Sequence, residues 1–191
     1  MRVSREKAAE NRDKIVAAAG SLFRAKGFDG AAVADLMKAA GLTHGGFYGH
    51  FESKDALVAE ALSRVLAGSI ERWNRYGDED PDGALARIVR RYLSPEMRDN
   101  PSGACAVPSL GAEVVRQGPE AKATFTPGIK GLADALQRLM RRRTTEKRRA
   151  EALATLASLV GAVVLARAVD DPAFSDEILS ATAGKLLGAA E

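Results

Sequence analysis

The sequence predicts an all-α protein: a three-helix N-terminal helix-turn-helix domain, joined by a linking helix to a larger helical body. Three observations predict it. Apolar residues recur at helical spacing along most of the 191-residue chain, and no segment sustains period-two alternation with β-branched residues. The stretch Gly41 to Phe51, closed by Glu52-Ser53-Lys54, reads as a helix end, a tight turn, a second short helix and a fresh helix start. The polar run Gly77 to Pro81 then reads as a turn separating two groups of helices. The expected division is 1–54 for the helix-turn-helix domain and 55–191 for the body.

The elements follow in order. Ile15, Ala19, Leu22 and Phe23 share one helical face, and Gly27 is the expected stop. Val33, Leu36, Met37 and Ala40 repeat the pattern over a shorter helix ended by Gly41. Thr43 is the natural N-cap of the next helix, which carries Phe47 and ends near His50. Ser53 caps a fourth helix, with Asp55 against its positive end. That helix is expected to reach about Arg75, roughly 34 Å at 1.5 Å per residue.

A helix with Leu85, Ile88, Val89, Tyr92 and Leu93 follows the break. Pro95, Pro101 and Gly103 then cut the chain into a short turn or helix and a loop. Residues 104–117 read as helical, with Pro108 near the start where its missing N–H matters least. A long helix is expected over 120–143, bent around Pro127 and Gly128. Thr144 or Thr145 caps another that runs to about Val169, and a last helix covers about 174–188.

Composition narrows the class. The chain is 46% hydrophobic and 28% charged, which suits a folded domain rather than a disordered one. No apolar run approaches the roughly 20 residues that span a bilayer, and the N-terminus lacks a secretory signal, so no membrane partner is expected. A single cysteine forbids an internal disulfide framework and points to a cytoplasmic location. The formal net charge is +3; residues 1–54 hold nine Lys/Arg against six Asp/Glu, so the whole excess falls on the N-terminal quarter.

Taken together, Leu22-Phe23, Lys26 to Phe28, Val33 to Leu36, Ala39 to Thr43 and Gly46 to Leu57 resemble the TetR/AcrR family of transcriptional regulators. The Tyr-x-His-Phe-x-Ser-Lys tail at Tyr48 to Lys54 makes the pattern specific. The resemblance implies a dimeric, DNA-binding repressor whose helical body takes a small ligand. The chain departs from the family at Ala31-Ala32, where members carry Thr followed by Ser or Thr; a cap worth ~1 kcal/mol and a phosphate contact are lost there.

By the same resemblance, Tyr48, His50 and Lys54 fall on phosphate-contacting positions. The chemistry agrees: a phenol and an imidazole each donate a hydrogen bond, and an ammonium lies at a helix N-terminus. Thr43 serves as cap and phosphate donor. His44, Gly45 and Gly46 open the recognition helix, and only His44 among them reaches a base edge with a side chain. The glycines permit close approach to DNA, or merely weaken the helix by ~1 kcal/mol each. Phe47 and Phe51 are expected to plug the core. His44 and His50 are not expected to form a metal site, because no third ligand is near. No cofactor and no catalytic group is expected.

In the body, Trp73, Tyr92, Cys105 and Phe125 are the candidate pocket residues. Cys105 lies at the start of a predicted helix, whose N-terminus lowers a thiol pKa. It is read either as a sensor of electrophiles or as a small buried hydrophobe. One recognition helix reads only a few base pairs, so a homodimer on a palindromic operator is expected, with half-sites about 34 Å apart. The helices over 120–143 and 145–169 are the expected interface, the second through Ala150, Ala154, Ala157, Ser158, Gly161 and Ala162, small residues that also suit an ordinary core helix. The basic cluster around Arg138 to Arg149 reads as a solvated helix connection rather than a second DNA site. Two functions remain: a repressor released by a small ligand or thiol reagent, or a constitutive or activating regulator without an effector.

Overall fold

The computed structural model describes residues 5–140 and 144–188, and every regular element within them is helical. The head consists of α1 (Arg5–Lys26), α2 (Val33–Ala39), a short 3-10 segment (His44–Gly49) and the first turns of α3 (Lys54–Glu79). The body follows as α4 (Ala84–Tyr92), α5 (Pro95–Asp99), α6 (Ala106–Val114), α7 (Pro119–Leu139), α8 (Thr145–Ala168) and α9 (Pro172–Leu187).

The head closes around aromatic side chains. Ile15, Phe23, Phe28, Leu36, Phe47 and Leu57 are fully buried, and the Phe23 and Phe28 rings meet edge to face at 5.5 Å. Gly27 and Gly41 end α1 and α2 with φ of +76° and +71°, the left-handed conformation a glycine stop supplies. Ser53 caps α3 by accepting the Ala56 N–H at 3.0 Å. Ala32 occupies the N-cap of α2 with no side-chain bond, as the missing hydroxyl predicts.

α3 belongs to both halves. Its first turns pack on α1, and its remainder lies along α7. Glycines set that second contact: a Cβ on Gly128 would stand 2.4 Å from Leu66 Cδ1, and one on Gly131 2.5 Å from Ile70 Cδ1. The same explanation corrects one expectation and accompanies another. Gly77 does not end α3, which runs to Glu79; it is buried, and a Cβ there would meet Leu139 at 2.8 Å. α7 runs through Pro127 and Gly128 as the single long helix expected there. In each case the glycine serves a close approach between helices, and neighbouring contacts override its low helix propensity.

The expectation that no apolar run is long enough to span a bilayer is also corrected. Glu146–Ala168 has the length and composition to do so, with hydropathy 1.6, and only 39% of its most apolar window is buried. Ala152, Leu156, Leu159 and Val163 face the core, whereas Leu153, Val164 and Leu165 are exposed. α9 runs beside α8, capped by Asp171, and leaves Phe174 exposed. α7, by contrast, buries Leu132 and Leu136. The exposed large apolar side chains of the body are therefore Val115 after α6, Leu153, Val164 and Leu165 on α8, and Phe174 on α9. Of the basic cluster, Arg138 bonds Asn74 and Asp78 and Arg149 bonds Asp134, while residues 141–143 lie outside the described residues.

Candidate nucleic-acid interface

The loop after α2 sets where the next segment begins. Leu42 N–H donates to Met37 O at 2.9 Å, and the chain then turns through Thr43. Thr43 stands at the N-cap position with extended backbone, but its side chain makes no capping bond. That hydroxyl, expected to be both cap and phosphate donor, keeps only the second task open.

The following six residues form a 3-10 segment rather than an α-helix. Gly46 N–H bonds Thr43 O at 3.0 Å and His50 N–H bonds Phe47 O at 2.9 Å, both at i to i+3 spacing. Three glycines in six residues lower the α-helical preference, and a single buried anchor holds the segment down. That anchor is Phe47, fully buried, stacked on Phe51 at 5.8 Å and edge-on to Tyr48 at 5.2 Å. Both phenylalanines thus plug the core as expected.

Anchoring Phe47 inward turns its neighbours outward. Tyr48 is 73% exposed, the most exposed large apolar side chain described. Thr43, His44, Gly45 and Gly49 are exposed, and Gly46 and His50 are partly so. A Cβ at Gly45 or Gly49 would meet nothing within 4 Å, and neither has positive φ. The predicted residues are therefore all exposed or partly exposed, and Lys54 alone among them spends its polar group on a long-range bond. Its Nζ donates to Phe28 O at 2.6 Å and is partly buried, so it ties α3 to the turn after α1. An ammonium retains two further N–H donors after that bond.

Arg12 was not foreseen. Its guanidinium lies 4.0 Å over the Phe51 ring, donates to the His50 carbonyl and pairs with Glu60 of α3. It clamps the far end of the 3-10 segment from α1. Nothing in the local pattern around Arg12 signals this, because its partners stand 38 and 48 residues away.

The body braces the head from the other side. Arg24 of α1 donates to Ala104 O at 2.6 Å, and Glu113 of α6 accepts the Phe28 N–H at 2.8 Å.

Of the four candidate pocket residues, three come together. Trp73 and Tyr92 meet edge to face at 6.0 Å, and the Tyr92 hydroxyl faces the Cys105 thiol without reaching hydrogen-bond geometry to any partner. All three are buried. Phe125 stands apart, against Gly111 on α6. Cys105 is the N-cap of α6, yet its pKa is not lowered. Burial pushes the thiol up, and Tyr92, the Val107 N–H, Arg24 and Arg72 offset that only in part. Burial likewise drives the Tyr92 hydroxyl well above its usual range.

Comparison with known proteins agrees with this geometry. Residues 15–61 match the model of the tetR family of bacterial regulatory proteins. An uncharacterized helix-turn-helix transcriptional regulator of Bacillus subtilis, YdgC, is 37% identical over 82 residues, which are 40% of this chain and 42% of that protein. YvdT of the same organism is 36% identical over 70 residues, 36% of each chain. The chain thus spans about two fifths of the length of the curated relatives it matches at this identity. The repressor NemR of Escherichia coli is 24% identical over 134 residues, 69% of this chain and 67% of that protein. The crystal structure of its reduced form covers 93% of this chain and 95% of its own, with TM-score 0.78 at 21% identity. A TetR-family regulator from Agrobacterium tumefaciens superposes with TM-score 0.77 at 20% identity, over 93% of this chain and 98% of its own. These last two likenesses show the fold, which extends through the body as well as the head.

Proposed function

The chain belongs to the TetR family of bacterial regulatory proteins through residues 15–61, and on that premise we propose that it is a sequence-specific DNA-binding repressor of transcription. The carrying observation is the outward surface of the 3-10 segment: Tyr48, His44 and Thr43 stand exposed around a single buried anchor, Phe47. Tyr48, His50 and Thr43 donate to phosphate oxygens and fix the register. His44 reads a base edge, and Gly45 and Gly46 let the backbone approach the groove. Lys54 adds charge beside the same phosphates while holding Phe28.

A homodimer presents two such heads to a palindromic operator. The apolar faces of α8 and α9, with Leu153, Val164, Leu165 and Phe174 exposed, supply the surface for pairing. The repressor acts in the cytoplasm and leaves its operator when a small ligand binds the body more tightly in a second arrangement of the two heads; the buried, protonated Cys105 thiol argues against a thiol reagent as the effector. An effector acts only through such a difference in affinity.

Selection of bound sequences from random duplex DNA with the purified protein tests the reading. A palindrome with half-sites one helical turn apart is expected. An absence of enrichment at moderate ionic strength overturns it.

A further inference from the structure

We propose that the cleft between α3, α4, α5 and the loop before α6 binds a small oxyanion, the carboxylate or phosphate group of an anionic metabolite, through the guanidinium groups of Arg72 and Arg91. The proposal names the chemical class of the effector and so rests on the regulator reading for its biological meaning, though not for the binding itself.

The cleft encloses about 60 Å³ and is lined by Arg72, Arg91, Ser94, Glu96, Asn100 and Ala104 among others. That is room for about four waters at roughly 10–15 Å³ each, the bulk of an oxyanion head group rather than of a drug-sized ligand. Two cations from different helices line it. Neither Arg72 nor Arg91 has a carboxylate within ion-pair distance among the described residues. On the same helices Arg64 bonds Asp13 and Arg87 bonds Glu79, while Arg75 and Arg90 have no ion pair among the described residues either. Of the cations on α3 and α4 without an ion pair, Arg72 and Arg91 are the two that line one concavity.

Nearby charge has the same sign. Arg24, partly buried, is satisfied by the carbonyls of Gly20 and Ala104 and not by an acid. Burial lowers its pKa, and the positive charge of Arg72 lowers it further. Two like charges held close without an anion raise the potential of the site, which favours a negative guest.

Neutral donors complete the lining. Asn100 Oδ1 accepts from Ser102 Oγ and Gly103 N–H, which orients the side-chain NH2 as a free donor. One group opposes the anion: Glu96, whose carboxylate makes no ion pair with either arginine.

The cleft also sits at a sensitive point. Ala104, on its wall, is the residue whose carbonyl holds Arg24 of α1. The cleft and that bond to the head thus share one residue, Ala104.

Calorimetric titration of the full chain, without DNA, tests this with inorganic phosphate and with acetate at constant ionic strength, chloride replacing the probe in the control. Saturable binding of either probe above the chloride control is expected, and the probe that binds tells phosphate from carboxylate. Arg72→Gln combined with Arg91→Gln is expected to weaken binding about tenfold or more, since each charge-assisted bond is lost. Glu96→Gln, an exposed change, is expected to tighten it several-fold. Binding of neither probe overturns the proposal, as does a Glu96→Gln variant that binds no more tightly than the parent. Because no DNA is present, a failure here is separate from a failure of operator binding.

Discussion

Glu113 of α6 accepts the backbone N–H of Phe28 at 2.8 Å, and the same carboxylate fills the space where a side chain at Gly27 would stand. The turn that ends α1 is therefore shaped by a residue 85 positions later, in the other half of the molecule. Lys54 takes the carbonyl of the same Phe28, so one residue joins α1, α3 and α6 through both of its backbone groups.

Glu113→Ala leaves the Phe28 amide without its partner. Loss of a hydrogen bond to a charged acceptor costs about 1–3 kcal/mol. The expected result is faster hydrogen exchange at Phe28 and its neighbours, with the centre of the body unchanged. Unaltered Phe28 protection would show that the bond does not couple the two halves.

Tyr48→Ala removes an exposed ring and is expected to leave thermal stability within about 0.5 kcal/mol of the parent. Its operator affinity falls, about equally for all sequences, as befits a phosphate contact. His44→Ala is expected instead to relax preference at one base position. Phe47→Ala costs about 3–5 kcal/mol and unfolds the head. Urea melts and binding isotherms for the three variants separate these outcomes.

Gly128→Ala drives a methyl group into Leu66, whose Cδ1 and Cβ lie 2.4 and 2.9 Å from the new carbon. Over-packing of this kind costs about 1–3 kcal/mol. Gly131→Ala meets chiefly the mobile end of Ile70 and is expected to cost less. The order of the two denaturation midpoints checks the claim; equal midpoints would contradict it.

Burial raises the Cys105 pKa in the folded state, so folding favours the protonated thiol. The unfolded chain loses its proton first as pH rises. The stabilising contribution is full below the ordinary thiol value of about 8.5 and is lost as pH climbs from there through the folded value. Alkylation at neutral pH is expected to be slow in the native protein and fast in denaturant, with Cys105→Ser flattening the stability profile above pH 8. Rapid alkylation of the native protein at neutral pH would contradict the burial account.

Val164→Arg places a charge on the exposed apolar face of α8 and is expected to give a monomer in sedimentation, still helical, with weakened binding to a palindrome. A dimer that survives the change would move the pairing surface elsewhere.

Much of the head was legible because its signals are local. Gly27, Gly41 and Ser53 act through their own backbone or the next turn, and periodicity alone placed Phe47 and Phe51 inside. Long-range partners were not legible. Arg12, Glu113 and Lys54 find theirs 26 to 85 residues away, and no spacing rule connects them. Gly77 misled for a related reason: a glycine read as a turn is, here, a seat for another helix. Cys105 was legible as a helix N-cap but not in its ionisation, because burial acts through atoms distant in the chain.

Gly45 and Gly49 point at open space from a segment pinned by Phe47, and neither needs a glycine's backbone freedom. Side chains can therefore be written onto these two places without disturbing anything beneath. On the DNA-binding reading proposed above, such substitutions change the face offered to the duplex and leave the fold behind it as it is.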